Sequence, residues 1–418
     1  MFSSFFPRPK MFFTSAAIWA IVAVLVWYSG GSGFGTHFGM APMAEGQEPP
    51  IGLGHFTTPD FIWFYLYFAA FAGSFGLFWQ VMAHEQIWRR WSIWGSIFIL
   101  FITYYSVQVS VALNNWRRPF FDAIQNALTA PGKVTAVELY SLLWIFCQIA
   151  FVFTCVIVVT RFFVSHYVFR WRTAMNDYYV AQWPKVRTIE GASQRIQEDT
   201  MRFASITEDL GVSLIDAVMT LIAFLPVLYA LSSYVDELPI IGAIPAPLFT
   251  AAIFWSIFGT ALLSVAGIKL PGLNFLNQRV EASYRKELVY GEDDINRAQP
   301  LTVKELFSHV RRNYFRMYFH YLYFNVVRYF YIQADNIFSY LILIPTIVAG
   351  KITFGILQQI LTAFGQVSSS FQFLVNSWTT IIELMSIHKR LASFEAAIKD
   401  QPLVQLDQEY VQSGGKEA

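Results

Sequence analysis

Eight apolar runs, each long enough to cross a bilayer, divide this chain, and that pattern excludes a soluble globular fold. They are Met11 to Ser29, Phe61 to Ala83, Ser92 to Leu113, Leu139 to Val164, Gly211 to Tyr234, Leu248 to Leu270, Leu322 to Ala349 and Phe354 to Met385. Crossing about 30 Å of hydrocarbon at 1.5 Å per residue takes roughly 20 residues. Ile21 to Val26 and Leu341 to Ile344 are apolar on every side, whereas a barrel strand would alternate over about ten residues. An all-α polytopic membrane protein of about eight transmembrane helices is therefore expected. The composition agrees, with 55% hydrophobic and only 14% charged residues.

The first run follows Arg8 and Lys10 like a secretory signal, but its apolar core is longer than a signal's. Gly30-Gly31-Ser32-Gly33 offers no small-x-small site just beyond it, so an uncleaved helix is expected. An even count of spans puts both termini on one side, and the positive-inside rule names that side. The loops assigned to the cytoplasm hold 22 Lys or Arg. The opposite loops hold Arg117, Arg118, Lys133 and Lys351, so both termini are expected in the cytoplasm. A net charge of +1 says nothing of partners, because its asymmetry across the membrane carries the meaning, and nucleic-acid binding has no support. Cys147 and Cys155 stand eight apart on one helix, too far along the axis to bridge, and are expected to be core residues. The seven histidines form no His-x-x-x-His pair or Cys/His cluster, so neither a metal nor a cofactor is expected.

The outer loops are short or turn-rich. Two hydrophilic segments, Ser165 to Leu210 and Pro271 to Tyr321, hold long stretches without Gly or Pro and with opposite charges three or four apart. They are expected as helices that project from the membrane into the cytoplasm. The last run, 32 residues and about 48 Å if helical, continues through Ser386 to Leu391 without a breaker. The expected organisation is an extra helix and periplasmic loop over 1–60, a membrane domain with cytoplasmic helical extensions over 61–393, and a cytoplasmic tail over 394–418.

Trp171-Arg172-Thr173-Ala174-Met175-Asn176-Asp177-Tyr178-Tyr179, followed by Gln194 to Asp199, resembles the membrane-domain pattern of the peroxisomal-type ABC subfamily. Asn114-Asn115-Trp116-Arg117-Arg118-Pro119-Phe120-Phe121-Asp122-Ala123-Ile124-Gln125 resembles its bacterial relatives. An ATPase domain should follow, yet only 33 residues come after Met385 and no Gly-x-x-x-x-Gly-Lys-Ser/Thr loop is present. That combination, with Phe163 to Asn176, Gln197 to Ser205, Gln278 to Ala282 and Arg285 to Asp294, resembles the SbmA/BacA family of bacterial inner-membrane peptide transporters. The resemblance implies an ABC-exporter-like membrane fold in a homodimer, without an ATPase partner. It also implies import of proline-rich or defensin-like peptides and peptide-like antibiotics across the inner membrane, driven by protons.

A proton-coupled carrier needs groups that change protonation as access alternates, and carboxylates are the obvious candidates. Glu281 and Glu292 are eleven apart, about three turns, and share a face of an unbroken helix. Glu208 sits where the cytoplasmic extension enters the membrane, and Glu198 lies almost three turns earlier. The resemblance implies a proton relay on Glu198, Glu208, Glu281 and Glu292. The plainer reading is ordinary ion pairs with Arg195, Arg202 and Arg285 on solvated faces, and Glu287 is read as a surface charge. Asp216, Arg328 and Asp335 lie near or inside predicted spans, where Arg328 and Asp335, near two turns apart, either pair or line the substrate path. Lys269 and Arg161 are read as snorkelling at helix ends. The dense aromatics of Phe61 to Phe78 and Tyr314 to Tyr331 serve as interface anchors or line a cavity, so no substrate-contact residue is assigned. No enzymatic activity is expected. Two rival readings stand beside the importer: the membrane subunit of an ABC transporter with a separate ATPase chain, and a non-transporting protein that organises envelope lipid.

Overall fold

A computed structural model describes residues 1–41, 50–187, 192–235, 237–239 and 242–401. Within helices it describes the backbone alone at 271, 275, 278, 279, 282, 293, 374, 375, 382 and 393. The described residues are helical apart from loops and one isolated antiparallel bridge, Leu238 to Gly242. Residues 402–418 of the expected tail lie outside the described residues.

The long helices are α1 (Pro9–Val26), α2 (Pro59–Met82), α3 (Ser96–Thr129), α4 (Ala136–Ala181), α5 (Thr200–Leu231), α6 (Pro247–Gly267), α7 (Leu270–Asp293), α8 (Pro300–Val348), α9 (Phe354–Phe371) and α10 (Trp378–Ile398). Their starts follow capping chemistry. Thr58 accepts from the Phe61 N–H at 3.3 Å with Pro59 at the first helical position and Asp60 in the first turn. Thr135 does the same for Glu138 at 3.3 Å.

Among the described residues seven helices, matching the first seven apolar runs, are long and apolar enough to cross a membrane. The eighth run follows one helical path in three pieces, α9, Phe373–Asn376 and α10. Backbone bonds from Gln372 to Ser368 and from Ser377 to Phe373 carry it across both joints. Near the first joint the Thr260 hydroxyl donates to the Phe371 carbonyl at 3.3 Å. α4 and α8, of 46 and 49 residues, span about 69 and 73 Å and outrun any hydrocarbon core by more than its own thickness. The expected projections are therefore continuous with the spans.

In the most apolar stretches of α1 and α4 only 6% of the residues are buried. Cys147 and Cys155 share that outward surface, so the core assignment made from their apolar surroundings is wrong. In a membrane helix apolarity does not predict burial, because lipid solvates an apolar face as well as a core does.

The chain forms two compact units, Met1–Phe224 with Ile352–Ala363 and Ile387–Ala418, and Leu225–Lys351 with Phe364–Ser386. The first has an aromatic core. Phe5, fully buried, meets Tyr167 edge-on at 5.3 Å and stacks on Trp171 at 6.0 Å, while Trp171 meets Phe203 at 5.7 Å. The second is organised by the antiparallel hairpin of α7 and α8. Asn313 Nδ2 donates to Asn277 Oδ1 at 3.1 Å, and Tyr284 meets Phe307 at 5.6 Å.

Candidate functional site

The four candidate glutamates fall two in each unit, and neither pair forms a contact. Glu198 lies in the Arg195–Asp199 π-turn that leads into α5. It is exposed, accepts from Gln194 at 3.0 Å and pairs with Arg202 at 3.2 Å. This is the solvated ion pair that the plainer reading expected, and such pairs contribute about 1 kcal/mol or less.

Glu208 stands ten residues further, about 15 Å along the axis. It is half-buried, has no hydrogen bond or ion pair with a described residue, and sits beside Asp209. Its charge reaches Tyr167, a buried phenol that shares a 2.8 Å hydrogen bond with Ser96. Glu208 is therefore a half-buried acid with no described cation, within electrostatic reach of the Tyr167 hydroxyl.

In the second unit α7 runs unbroken through Glu281 and Glu292, as the spacing required. Glu281 is half-buried and without a described partner, and Glu292 is exposed on the last turn. About 16 Å of axial rise separates them, against a hydrogen-bond reach of about 3 Å. A relay through these four residues therefore needs water or other groups between them.

Glu287 is not the surface charge expected. It is mostly buried, pairs with Arg297 at 3.5 Å and accepts from the Ala298 N–H at 2.9 Å. It thereby holds the turn at Ala298, whose φ is 51°.

Of the two readings of Arg328 and Asp335, the mutual pairing is not found. Asp335 instead accepts from Trp255 Nε1 at 2.7 Å and from Ser368 Oγ at 3.1 Å. Gln372 bonds Ser368 at 3.1 Å and Tyr331 at 3.2 Å, completing a polar network at span depth. Arg328 is exposed and Asp335 half-buried. Seven residues are 20° short of two turns, and two uncharged donors on other segments took the carboxylate instead.

Asp199, adjacent to Glu198, is a buried acid to which nothing in its sequence neighbourhood points. It is 1% exposed and receives Arg390 Nη2 at 2.7 Å, while Arg195 donates to the Arg390 carbonyl at 2.8 Å. Their partner is 191 residues away, so no local spacing could have shown it.

The two long motifs are largely scaffolding. In Trp171 to Tyr179, Trp171 enters the aromatic core and Tyr179 donates to Glu395 at 3.2 Å. Burial pushes the Glu395 carboxyl up, but the Met1 ammonium, Lys399 and Tyr179 outweigh it and hold the group below the ordinary range. In Asn114 to Gln125, Asp122 accepts from the Gly355 N–H at 2.8 Å and Gln125 from the Phe354 N–H at 2.8 Å, capping α9 from outside. Trp116 donates to the Leu142 carbonyl at 2.8 Å.

Inner membrane ABC transporter ATP-binding protein YddA of Escherichia coli is 24% identical over 71% of this chain and 55% of its own length. An uncharacterized ABC transporter ATP-binding protein of Synechocystis is 24% identical over 74% of this chain and 47% of its own. ABC transporter D family member 2, chloroplastic, of Arabidopsis thaliana is 25% identical over 54% and 33%. The chain thus spans about half the length of the first two. The model of the SbmA/BacA-like family matches residues 85–399, and the chain belongs to that family.

Proposed function

We propose that this protein imports peptides and peptide-like antibiotics, such as proline-rich and defensin-like peptides, across the bacterial inner membrane, driven by the proton gradient. The functional unit of this reading is a homodimer with both termini in the cytoplasm and no ATPase partner. The observation that carries it is a pair of half-buried carboxylates, Glu208 and Glu281, on helices of an SbmA/BacA-like protein, neither bound to a described cation. A half-buried carboxylate with no described cation beside it is free to interact with a mobile ion, as a paired surface carboxylate is not.

One observation favours a second reading. Relatives bear names of ABC transporter ATP-binding proteins, and the chain matches only about half of each. A membrane subunit working with an ATPase would use its long helical extensions for docking instead of proton movement. The deciding experiment is uptake of a labelled proline-rich peptide into vesicles containing this protein alone. Accumulation under an imposed inward proton gradient without ATP, abolished by a protonophore, supports the importer. An absolute requirement for ATP and a second chain sinks it.

A further inference from the structure

The apolar run of α4 ends at Val164, and Arg170 stands six residues beyond it, about 9 Å along the axis. A helical side chain leans toward its helix N-terminus, here back toward the membrane. Arg170 does so, since its Nη1 donates to the His166 carbonyl one turn earlier at 3.1 Å. That lean brings the guanidinium into the polar layer of a bilayer, which is about 5–8 Å thick on each side. The same level is reached by the π-turn Arg90–Gly95 that leads into α3. Its Trp91 stacks on Phe163 of α4 at 5.7 Å, and the Arg170 guanidinium lies 3.8 Å from the Trp91 ring centroid. Arg89 and Arg90 directly precede that tryptophan, just outside the apolar run that begins at Ser92.

Three guanidinium groups thus stand at one end of these spans, and no described carboxylate answers them. Arg89, Arg90 and Arg170 form no ion pair with a described residue. The nearest acids along the chain are Glu85, 90% exposed beside His84, and Asp177, about two turns past Arg170. Glu208 interacts with Tyr167 and Asp209 and with none of the three arginines. Stacking on Trp91 holds Arg170 in place while leaving its Nε and Nη2 for another acceptor. Toward the middle of the spans, Phe98 packs edge-on against Phe163 at 4.6 Å yet remains 37% exposed, and Phe162 is 68% exposed. These rings open onto the stretch of α4 of which only 6% is buried. An unanswered basic cluster that continues into a lipid-facing apolar surface fits an anionic lipid better than a soluble anion.

We infer that this corner of α3 and α4 binds an anionic phospholipid. Its phosphate sits on Nε and Nη2 of Arg170, Arg89 and Arg90 add positive charge, and an acyl chain lies along Phe98 and Phe162. Lipid binding here is independent of what the protein transports. In the test, the full chain purified in detergent is titrated with phosphatidylglycerol or phosphatidylcholine, and the first lipid bound is read by native mass spectrometry. Phosphatidylglycerol should bind at least tenfold tighter. Arg170→Gln should weaken that binding at least fivefold, about the effect of one basic side chain at an anionic surface.

Arg161→Gln is the control. Nine residues from Arg170, Arg161 stands half a turn round α4, is exposed and forms no ion pair with a described residue. Its loss removes the same charge from the other side of the helix, so Arg161→Gln should retain at least half the parental affinity. Equal losses in Arg161→Gln and Arg170→Gln would mean diffuse attraction to a basic surface and overturn the site. Equal affinity of the parent for the two lipids, as when a second copy covers this face, overturns it as well. Full displacement of phosphatidylglycerol by an equal concentration of glycerol 3-phosphate would mark a site for soluble phosphates and also overturn it. Should Arg170→Gln not elute as the parent does, the double variant Arg89→Gln with Arg90→Gln decides: a loss of at least fivefold upholds the site and a smaller one overturns it.

Discussion

Removing Arg390 strands a buried carboxylate, and the structure says how much that costs. Asp199 is 1% exposed, its Oδ1 is held at 2.7 Å by Arg390, and its Oδ2 has no described partner. Breaking a buried pair from one side costs about 3–5 kcal/mol, and here the field of Arg195 is the compensation that remains for Asp199. The Arg390 side chain is 42% exposed, so loss of its half-buried stem adds only about 1 kcal/mol at roughly 0.8 kcal/mol per buried CH₂. Charge should therefore dominate. At about 2.1 cal/mol/K of unfolding entropy per residue, 418 residues give about 0.9 kcal/mol per degree, so Arg390→Ala should lower the melting temperature by about 4–7 °C.

The assay is thermal unfolding of the purified protein in detergent, read by the surviving fraction on size exclusion. Arg390→Met, which keeps the stem, should fall nearly as far as Arg390→Ala. Adding Asp199→Asn to either variant should restore at least half of the loss, since the stranded charge is gone. If Arg390→Met melts like the parent, or Asp199→Asn restores nothing, packing accounts for this contact and the buried-charge argument is wrong. The same pair ties α10 to the start of α5, nine residues before Glu208, so uptake should fall with stability in the stranded variants and return with the double substitution.

Glu281→Gln should fold as the parent does and lose at least tenfold of gradient-driven uptake at matched abundance, with Glu281→Asp intermediate. Glu305→Gln, exposed and without a described partner, should transport normally and is a better control than Glu287, which holds the Ala298 turn. Parental uptake and pH dependence in Glu281→Gln would remove that residue from any relay. Gly259→Ala should cost about 3 kcal/mol, the upper end for overpacking, because the new methyl falls inside the Tyr331 ring and stacked Trp255 blocks its retreat; a melting temperature within 1 °C of the parent's counts against it. Asp122→Ala should cost about 1 kcal/mol through the lost cap on α9 while Asp122→Asn, which still accepts from Gly355, stays near neutral. Equal melting curves for those two variants would show that the cap contributes nothing.

The helices were legible because their signal is local. Thr58-Pro59-Asp60 starts a helix wherever it occurs, and runs such as Leu341 to Ile344 specify their solvent as well as their conformation. Burial was not legible in the same way. Cys147 and Cys155 sit in sequence surroundings as apolar as those of Ile149, yet they are exposed and Ile149 is fully buried, since lipid and protein core are equivalent to an apolar side chain.

Charged partners failed for a different reason. Arg328 and Asp335 stand close along one helix and did not pair, while Asp199 and Arg390 are 191 residues apart and did. Sequence spacing states which residues share a face, and tertiary contacts then choose among the faces. The four glutamates illustrate the limit from the other side. Glu281 and Glu292 do lie on one unbroken helix, yet one is half-buried and the other exposed, so a shared face did not give a shared environment. Environment separates Glu208 and Glu281, half-buried and without a described cation, from Glu198, exposed and ion-paired with Arg202. Asp335 shows the same choice by tertiary contact, since two uncharged donors meet a single oxygen where spacing offered Arg328.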